Sequence, residues 1–290
     1  MPIGVVDVGS NTVRLLIKGG GRSIRTEREL LRLGADVELH GRISEAKLEA
    51  TRSVVAGYAA VARDEGVEHL EVLITSPGRQ AANGRELAQM LGDAAGSPVR
   101  VLSALEEGRL AFLGAIDAVG PPSRRLVAVV DVGGGSAQVV VGTRRAGPQW
   151  LRSIDLGSQR LTSRLLGADP PGVEALDRAR AEVETYLVNV TPPTPRVALA
   201  VGGSARAVKR IVGGRLGAEE LQDALALLAE LPTHEVVARF GIDEERARTV
   251  AAGAVILAAL QERLDTPLRV VRSGLRDGAL VDLASRRAAA

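Results

Sequence analysis

Apolar residues along this chain come in two rhythms that alternate twice. Short apolar runs at 3–8, 12–18 and 22–27, parted by GSNT and by the glycine turn 19–21, predict three extended segments in a meander. Ser44 then opens a long stretch with Leu48, Val55, Tyr58, Ala59 and Ala62 at helical spacing, capped by that serine. LEVLIT at 70–75 reads as a buried strand, followed by a helix over 79–95, a strand at 99–102 and a helix at 104–117. GPPS at 120–123 cannot continue a helix and marks a linker. Beyond it the pattern restarts, with strands at 126–131, 137–142 and 149–154 and helices at 158–166 and 173–188. PPTP at 192–195 ends the last of these; a strand at 196–201, helices through most of 204–263, a strand at 268–272 and a helix from 276 complete the chain.

Strand–strand–strand–helix–strand–helix, given twice, predicts a duplicated α/β layer fold. The expected division is 1–120 and 121–290, with the final helix a candidate to pack back on the first domain. The duplication is also audible in one phrase: residues 5–12 read VVDVGSNT and 129–136 read VVDVGGGS. Each is an apolar strand ending in Asp and a turn of small residues, whose exposed N–H groups can cradle a phosphate. A single copy is equally a tight turn in which Asp7 or Asp131 caps the backbone. Two copies at equivalent points predict two phosphate loops facing one cleft.

Composition narrows the ligand. Of 290 residues, 46% are hydrophobic but only 2% aromatic, so stacking sites for nucleic acid polymers are not expected. A pI near 9.4 overstates the basicity, since the formal net charge is +2; lysine is confined to Lys18, Lys47 and Lys209, and arginine carries the rest. Arginine-rich coding explains this as readily as function does, although arginine suits bidentate phosphate contact. Cysteine is absent, which removes disulfides and thiolate chemistry. No apolar run approaches membrane length and a strand begins within the first residues, so the chain reads as cytoplasmic, soluble and without a membrane partner.

Three further segments carry candidate chemistry. In SALEEGRL at 103–110, Ser103 and Glu106 form a capping box, which leaves Glu107 free to enter the cleft and deprotonate a water. A solvated first-turn glutamate is the competing view. In TSPGRQAAN at 75–83, Ser76 and Arg79 stand at a strand-to-helix junction, as either a phosphate site or a plain cap. VGGSARAV at 201–208 is a third Gly–Gly–Ser junction, suited to a phosphate or nucleotide, or simply to close packing. His40, His69 and His234 have no ligand-type neighbours, so zinc and a Ser-His-Asp triad are not expected. Oxygen ligands point instead to Mg²⁺ or a similar hard cation. GxxxxGK[ST] is absent.

Taken in order, DVGSNTVRLLI (7–17), TSPGRQAAN, LEEGRLAFLG (105–114), VVDVGGGSAQVVVG (129–142), VGGSARAV, ERARTVAAGAVIL (245–257) and SGLRDGAL (273–280) resemble the exopolyphosphatase/guanosine pentaphosphate phosphatase (Ppx/GppA) family. This family sits in the actin-like ATPase superfamily. The resemblance implies two RNase H-like domains with an interdomain cleft, in a short form without a C-terminal helical domain. It implies an exopolyphosphatase that hydrolyses the terminal phosphoanhydride of inorganic polyphosphate with Mg²⁺, acting as a homodimer. Guanosine pentaphosphate (pppGpp) is the alternative substrate, and a low-turnover polyphosphate or alarmone binder the alternative role. A sugar-kinase-type reaction fits less well.

By the same resemblance Glu107 matches the general base. Ser10, Asn11, Arg79, Gly133, Gly134, Gly135, Ser136, Gly203 and Ser204 match phosphate contacts, and Asp7, Asp131 and Gln138 metal positions. Two residues depart from the family pattern. Gln138 stands where GGGSxE has glutamate, and Asp277 turns GLREG into GLRDG.

Overall fold

The computed structural model describes residues 1–288. Strands β1 (Ile3–Val8), β2 (Thr12–Gly19), β3 (Arg22–Leu30), β4 (His69–Ile74) and β5 (Val99–Val101) form one sheet in the order β3-β2-β1-β4-β5. Strands β6 (Val127–Val132), β7 (Ala137–Thr143), β8 (Gly147–Ile154), β9 (Val197–Val201) and β10 (Leu268–Val270) form the second, in the order β8-β7-β6-β9-β10. In each the first three strands are antiparallel and the last two join in parallel. The pattern implied two such α/β layers, and they have the RNase H-like form that the family resemblance implied. β1 and β6 read as continuous apolar runs because they lie mid-sheet with helices on both faces.

The repeat holds residue by residue. Asp7 on β1 pairs in register with Arg14 on β2, and Asp131 on β6 with Gln138 on β7. Equivalent places in the two halves thus hold a guanidinium and an amide.

The first-half helices are α1 (Leu33–His40), α2 (Glu45–Asp64), α3 (Ser76–Gln80), α4 (Gly84–Ala95) and α5 (Ala104–Val119). The second-half helices are α6 (Ser158–Leu165), α7 (Val173–Leu187), α8 (Gly202–Val212), α9 (Ala218–Glu230), α10 (Thr233–Phe240), α11 (Glu244–Leu264) and α12 (Leu275–Ala288). Helix α1 was not expected from the pattern: it is eight residues long with only Leu33 and Val37 buried, too short for a periodic signal. The helix expected over 79–95 breaks before Asn83, whose side chain accepts from Ile43 N–H and donates to Ile43 C=O. Ser44 begins α2, yet its hydroxyl donates to Asp36 and caps nothing.

Two helices cross between the halves. Ala111, Phe112, Ala115 and Ile116 of α5 pack on Val127, Val129, Val140 and Leu199 of the second sheet. Ala279 and Leu280 of α12 pack on Val5, Leu16 and Leu73 of the first. The helix before the linker therefore covers the sheet after it, and the last helix returns to the first sheet. Where α5 and α12 meet, Gly114 and Gly278 let the backbones touch. A Cβ on Gly278 would lie 2.7 Å from the Leu110 carbonyl carbon and 2.9 Å from Gly114 N.

Candidate functional site

The two Asp–Gly turns face each other across the cleft. Both fold alike: Gly9 N–H donates to Thr12 C=O and Gly133 N–H to Ser136 C=O, each at 3.0 Å. Among the described residues the N–H groups of Ser10, Asn11, Gly134 and Gly135 have no protein acceptor and are left for a ligand. Asn11 Oδ1 is likewise buried without a partner. The turns nearly touch, for a Cβ on Gly135 would stand 2.8 Å from Ser76 Oγ and 2.9 Å from Ser10 Oγ. Those two hydroxyls are hydrogen-bonded at 2.6 Å.

The cleft cavity, about 150 Å³, is floored by Asp7 and Asp131 at the ends of β1 and β6. Neither carboxylate has a hydrogen-bonded or ion-paired partner among the described residues, and each is drawn back from water. Burial raises Asp131 to about 6, against the pull of Arg206 and with repulsion from Asp7 adding to it. Burial also raises Asp7, opposed by Arg276 and Arg14. Gly202, at φ 86, lets the chain pass over Asp131: a Cβ there would sit 2.5 Å from Asp131 Oδ1.

Glu107 enters the cleft from the first turn of α5 and is 6% exposed. The capping box exists as read, with Ser103 Oγ accepting from Glu106 N–H at 3.2 Å and Glu106 Oε2 accepting from Ser103 N–H at 2.8 Å. Glu106 is thereby occupied and Glu107 turned inward. Burial raises Glu107 to about 7, with Arg79 pulling it down and Asp131 and Asp7 pushing it up. Arg79 donates to Glu107 Oε1, and Gln138 Nε2 approaches Glu107 Oε2 at 3.3 Å. The same amide donates to Ser136 Oγ at 3.0 Å.

These contacts revise three expectations. Arg79 is spent on Glu107 and on the Leu102 carbonyl and does not line the cavity, so it holds Glu107 in place rather than facing a ligand in the cleft. Ser204 turns away: its hydroxyl is buried against Ser158 and Gly253, although Gly203 beside it does line the cavity. Gln138 points its nitrogen at Glu107, leaving only Oε1 for a cation. Asp277, the second departure, accepts from Gly274 N–H at 3.1 Å and pairs with Lys18 at 2.6 Å.

Sequence reasoning missed the arginines. Arg14, Arg206, Arg246, Arg272 and Arg276 all line the cavity, and among the described residues none has a carboxylate within 4.0 Å. Burial and its neighbour Arg276 pull Arg14 down to about 10, and Arg276 Nη1 is buried without an acceptor. Five guanidiniums share this cavity with Asp7 and Asp131 and none has a carboxylate in contact, so positive charge is in excess there and an anion joining them would offset the cost. The signal was present: Arg14, Arg206, Arg246 and Arg276 each lie inside a segment already singled out, and Arg272 flanks one.

The raised carboxylates make a stability prediction. Folded Glu107 keeps a proton to about pH 7, whereas an unfolded glutamate releases it near 4.5. Its contribution is therefore complete below 4.5 and is lost as pH rises through 7. In a chelator, the Tm advantage of Glu107→Gln over wild type should grow across that window. An advantage that shrinks as pH rises would contradict the burial of this group.

No helix among the described residues is long and apolar enough to cross a membrane. The chain is 31% identical over 198 residues to exopolyphosphatase 2 of Mycobacterium tuberculosis, a match spanning 64% of this chain and 61% of that protein. Exopolyphosphatase 1 of the same organism is 27% identical over 303 residues, covering 97% of this chain and 88% of the relative. A crystal structure of the Aquifex aeolicus Ppx/GppA family member superimposes with a TM-score of 0.85 at 27% identity, over 99% and 98% of the two chains. The model of the Ppx/GppA phosphatase family matches residues 17–287. The paired loops, the inward glutamate and the extent of that match agree, and this chain belongs to the Ppx/GppA phosphatase family.

Proposed function

We propose that this protein is an exopolyphosphatase, releasing phosphate from the ends of inorganic polyphosphate by attack of water with Mg²⁺ in the cleft. The observation that carries the reading is Glu107: a buried carboxylate with a pKa near 7, opposite two loops of unsatisfied N–H groups in an arginine-walled cleft. Its relatives named exopolyphosphatase support the same reading.

The free N–H groups of Ser10, Asn11, Gly134 and Gly135 hold the oxygens of the terminal phosphate, and Arg14 and Arg276 offset the charge behind it. Glu107 takes a proton from the attacking water; a base matched to neutral pH does this efficiently. Arg79 and Gln138 fix its two oxygens and keep the carboxylate aimed. The donor set fits Mg²⁺: no cluster of three acidic or histidine ligands occurs among the described residues, but Mg²⁺ needs only one or two carboxylates, with water and phosphate completing its shell. Asp131 and Asp7 would hold it, with Gln138 Oε1 as a neutral third contact. When bound, the cation supplies positive charge to the phosphoryl oxygens.

The test is phosphate release from long polyphosphate, short polyphosphate and pppGpp side by side, with Mg²⁺ and with chelator. The reading expects Mg²⁺-dependent release from polyphosphate. Preferential release from pppGpp would make the chain a pentaphosphate phosphohydrolase. Tight binding of polyphosphate without turnover would favour the regulator, a role for which the uncharged Gln138 is the one observation.

A further inference from the structure

Behind the two turns lies a small cavity of about 10 Å³, room for about one water. Ser10, Gly134 and Gly135 line both this pocket and the cleft, so the turns themselves are the partition between the two. Its other walls are Gly34 and Glu38 of α1, Gln80 of α3, and Gln159 and Arg160 of α6. Gln159 Oε1 is buried there without a donor, and a Cβ on Gly34 or Gly134 would stand 3.4 Å from it. Side chains from opposite halves close the outer rim. Arg160 Nε donates to Glu38 Oε2 at 2.8 Å and Arg164 Nε to Glu38 Oε1 at 2.7 Å. Gln80 donates to Asp155, whose second oxygen pairs with Arg160 at 2.9 Å. No apolar side chain lines the pocket; the apolar packing between the halves belongs to α5 and α12. Partly exposed ion pairs contribute little each, so this rim can part at small cost.

A terminal phosphate held on the N–H groups of the two turns has the rest of its chain on the open side of the cleft. Once cut free, orthophosphate lies between the shortened chain and the turns. We propose that the pocket is a closed exit for orthophosphate. The rim opens between α1 and α3 on one side and α6 on the other, and phosphate leaves behind the turns while the chain stays in front. Hydrogen phosphate suits the passage: its hydroxyl can donate to Gln159 Oε1, and its other oxygens can accept from Arg160 in exchange for Glu38. This inference rests on the hydrolytic reading above.

Cysteine is absent from the chain, so an engineered pair can be bridged without side reaction. Gln80→Cys with Asp155→Cys is joined by a short bis-methanethiosulfonate linker, which holds the rim shut and which reductant removes. With long polyphosphate and Mg²⁺, the bridged protein should cut its first bond at the rate of the reduced form, read by rapid quench. Free orthophosphate, read by a fluorescent phosphate sensor, should not follow; later turnovers should be lost, and reductant should restore both. Glu38→Cys with Arg164→Cys, across the same rim, serves if the first pair folds poorly. Arg28→Cys with Asp243→Cys is the control, since that pair also spans the halves but lies outside the pocket. Bridged there, cleavage and release should stay in step. Release that keeps pace with cleavage behind the bridged rim, a first turnover lost with the rest, or the same uncoupling in the control would overturn the exit. Should the reduced protein and wild type hydrolyse no polyphosphate, the functional reading fails and the exit is decided by exchange. Labelled orthophosphate is bound first and excess long polyphosphate added. The bridged form should then retain the label and the reduced form lose it; equal loss from both overturns the passage.

Discussion

Replacing Glu107 with glutamine should lower phosphate release by ~10²–10⁴-fold, the usual worth of a general base. Binding of polyphosphate should survive, because the N–H groups and arginines that hold it are untouched. The neighbouring Glu106→Gln is the control. Its side chain closes the capping box and pairs with Arg100 at 3.0 Å; glutamine can still accept from Ser103 N–H and loses only the part-exposed ion pair, so the variant should cost less than ~1 kcal/mol of stability and little activity. The pair separates chemistry from packing, since both glutamates sit in one turn of α5. Rates and equilibrium binding measured together decide the matter. Near-normal turnover in Glu107→Gln, or equal damage from Glu106→Gln, would assign the base elsewhere.

Gly278→Ala should destabilise the fold by ~3 kcal/mol or more, at or beyond the upper end for overpacking. The added methyl meets the Leu110 carbonyl group and Gly114 N, which are backbone and cannot rotate away. Because α5 covers the second sheet and α12 the first, parting these helices loosens both halves at once. Gly57→Ala is the matched control: it is exposed on α2, where an added Cβ meets nothing within 4 Å. There the better helix propensity of alanine should stabilise slightly. Thermal melts of the two variants should diverge by several degrees at least. Coincident melting curves would mean that the α5–α12 crossing bears little of the stability.

The sequence exposed local arrangements and concealed what depends on distant partners. The two Asp–Gly turns were legible because an apolar run, an aspartate and small residues leave the backbone few options. The duplication of the α/β layers followed from the repeated strand and helix rhythm, whereas the order of strands within each sheet came only with the structure. Glu107 was legible for a subtler reason: Ser103 and Glu106 satisfy each other locally, so the next glutamate needed another explanation. Periodicity reports that α5 has an apolar face, however, and not which sheet covers it. It cannot show that Arg79, four residues into its segment, ends on Glu107, or that Ser204 is swallowed by Ser158 and Gly253. The arginines were hidden by their spread, since Arg14 and Arg276 meet only once the first and last quarters of the chain share a cleft.

The central claim is that water, deprotonated by Glu107, attacks the terminal phosphorus of a polyphosphate held between the two loops. Hydrolysis of long polyphosphate in ¹⁸O-labelled water with Mg²⁺ tests it most directly. Attack at the terminal phosphorus puts one labelled oxygen into each orthophosphate released, and Glu107→Gln should yield almost none. Unlabelled orthophosphate with label in the shortened chain would place attack on the neighbouring phosphorus, and label in neither product would exclude water as the nucleophile; either result would contradict the account.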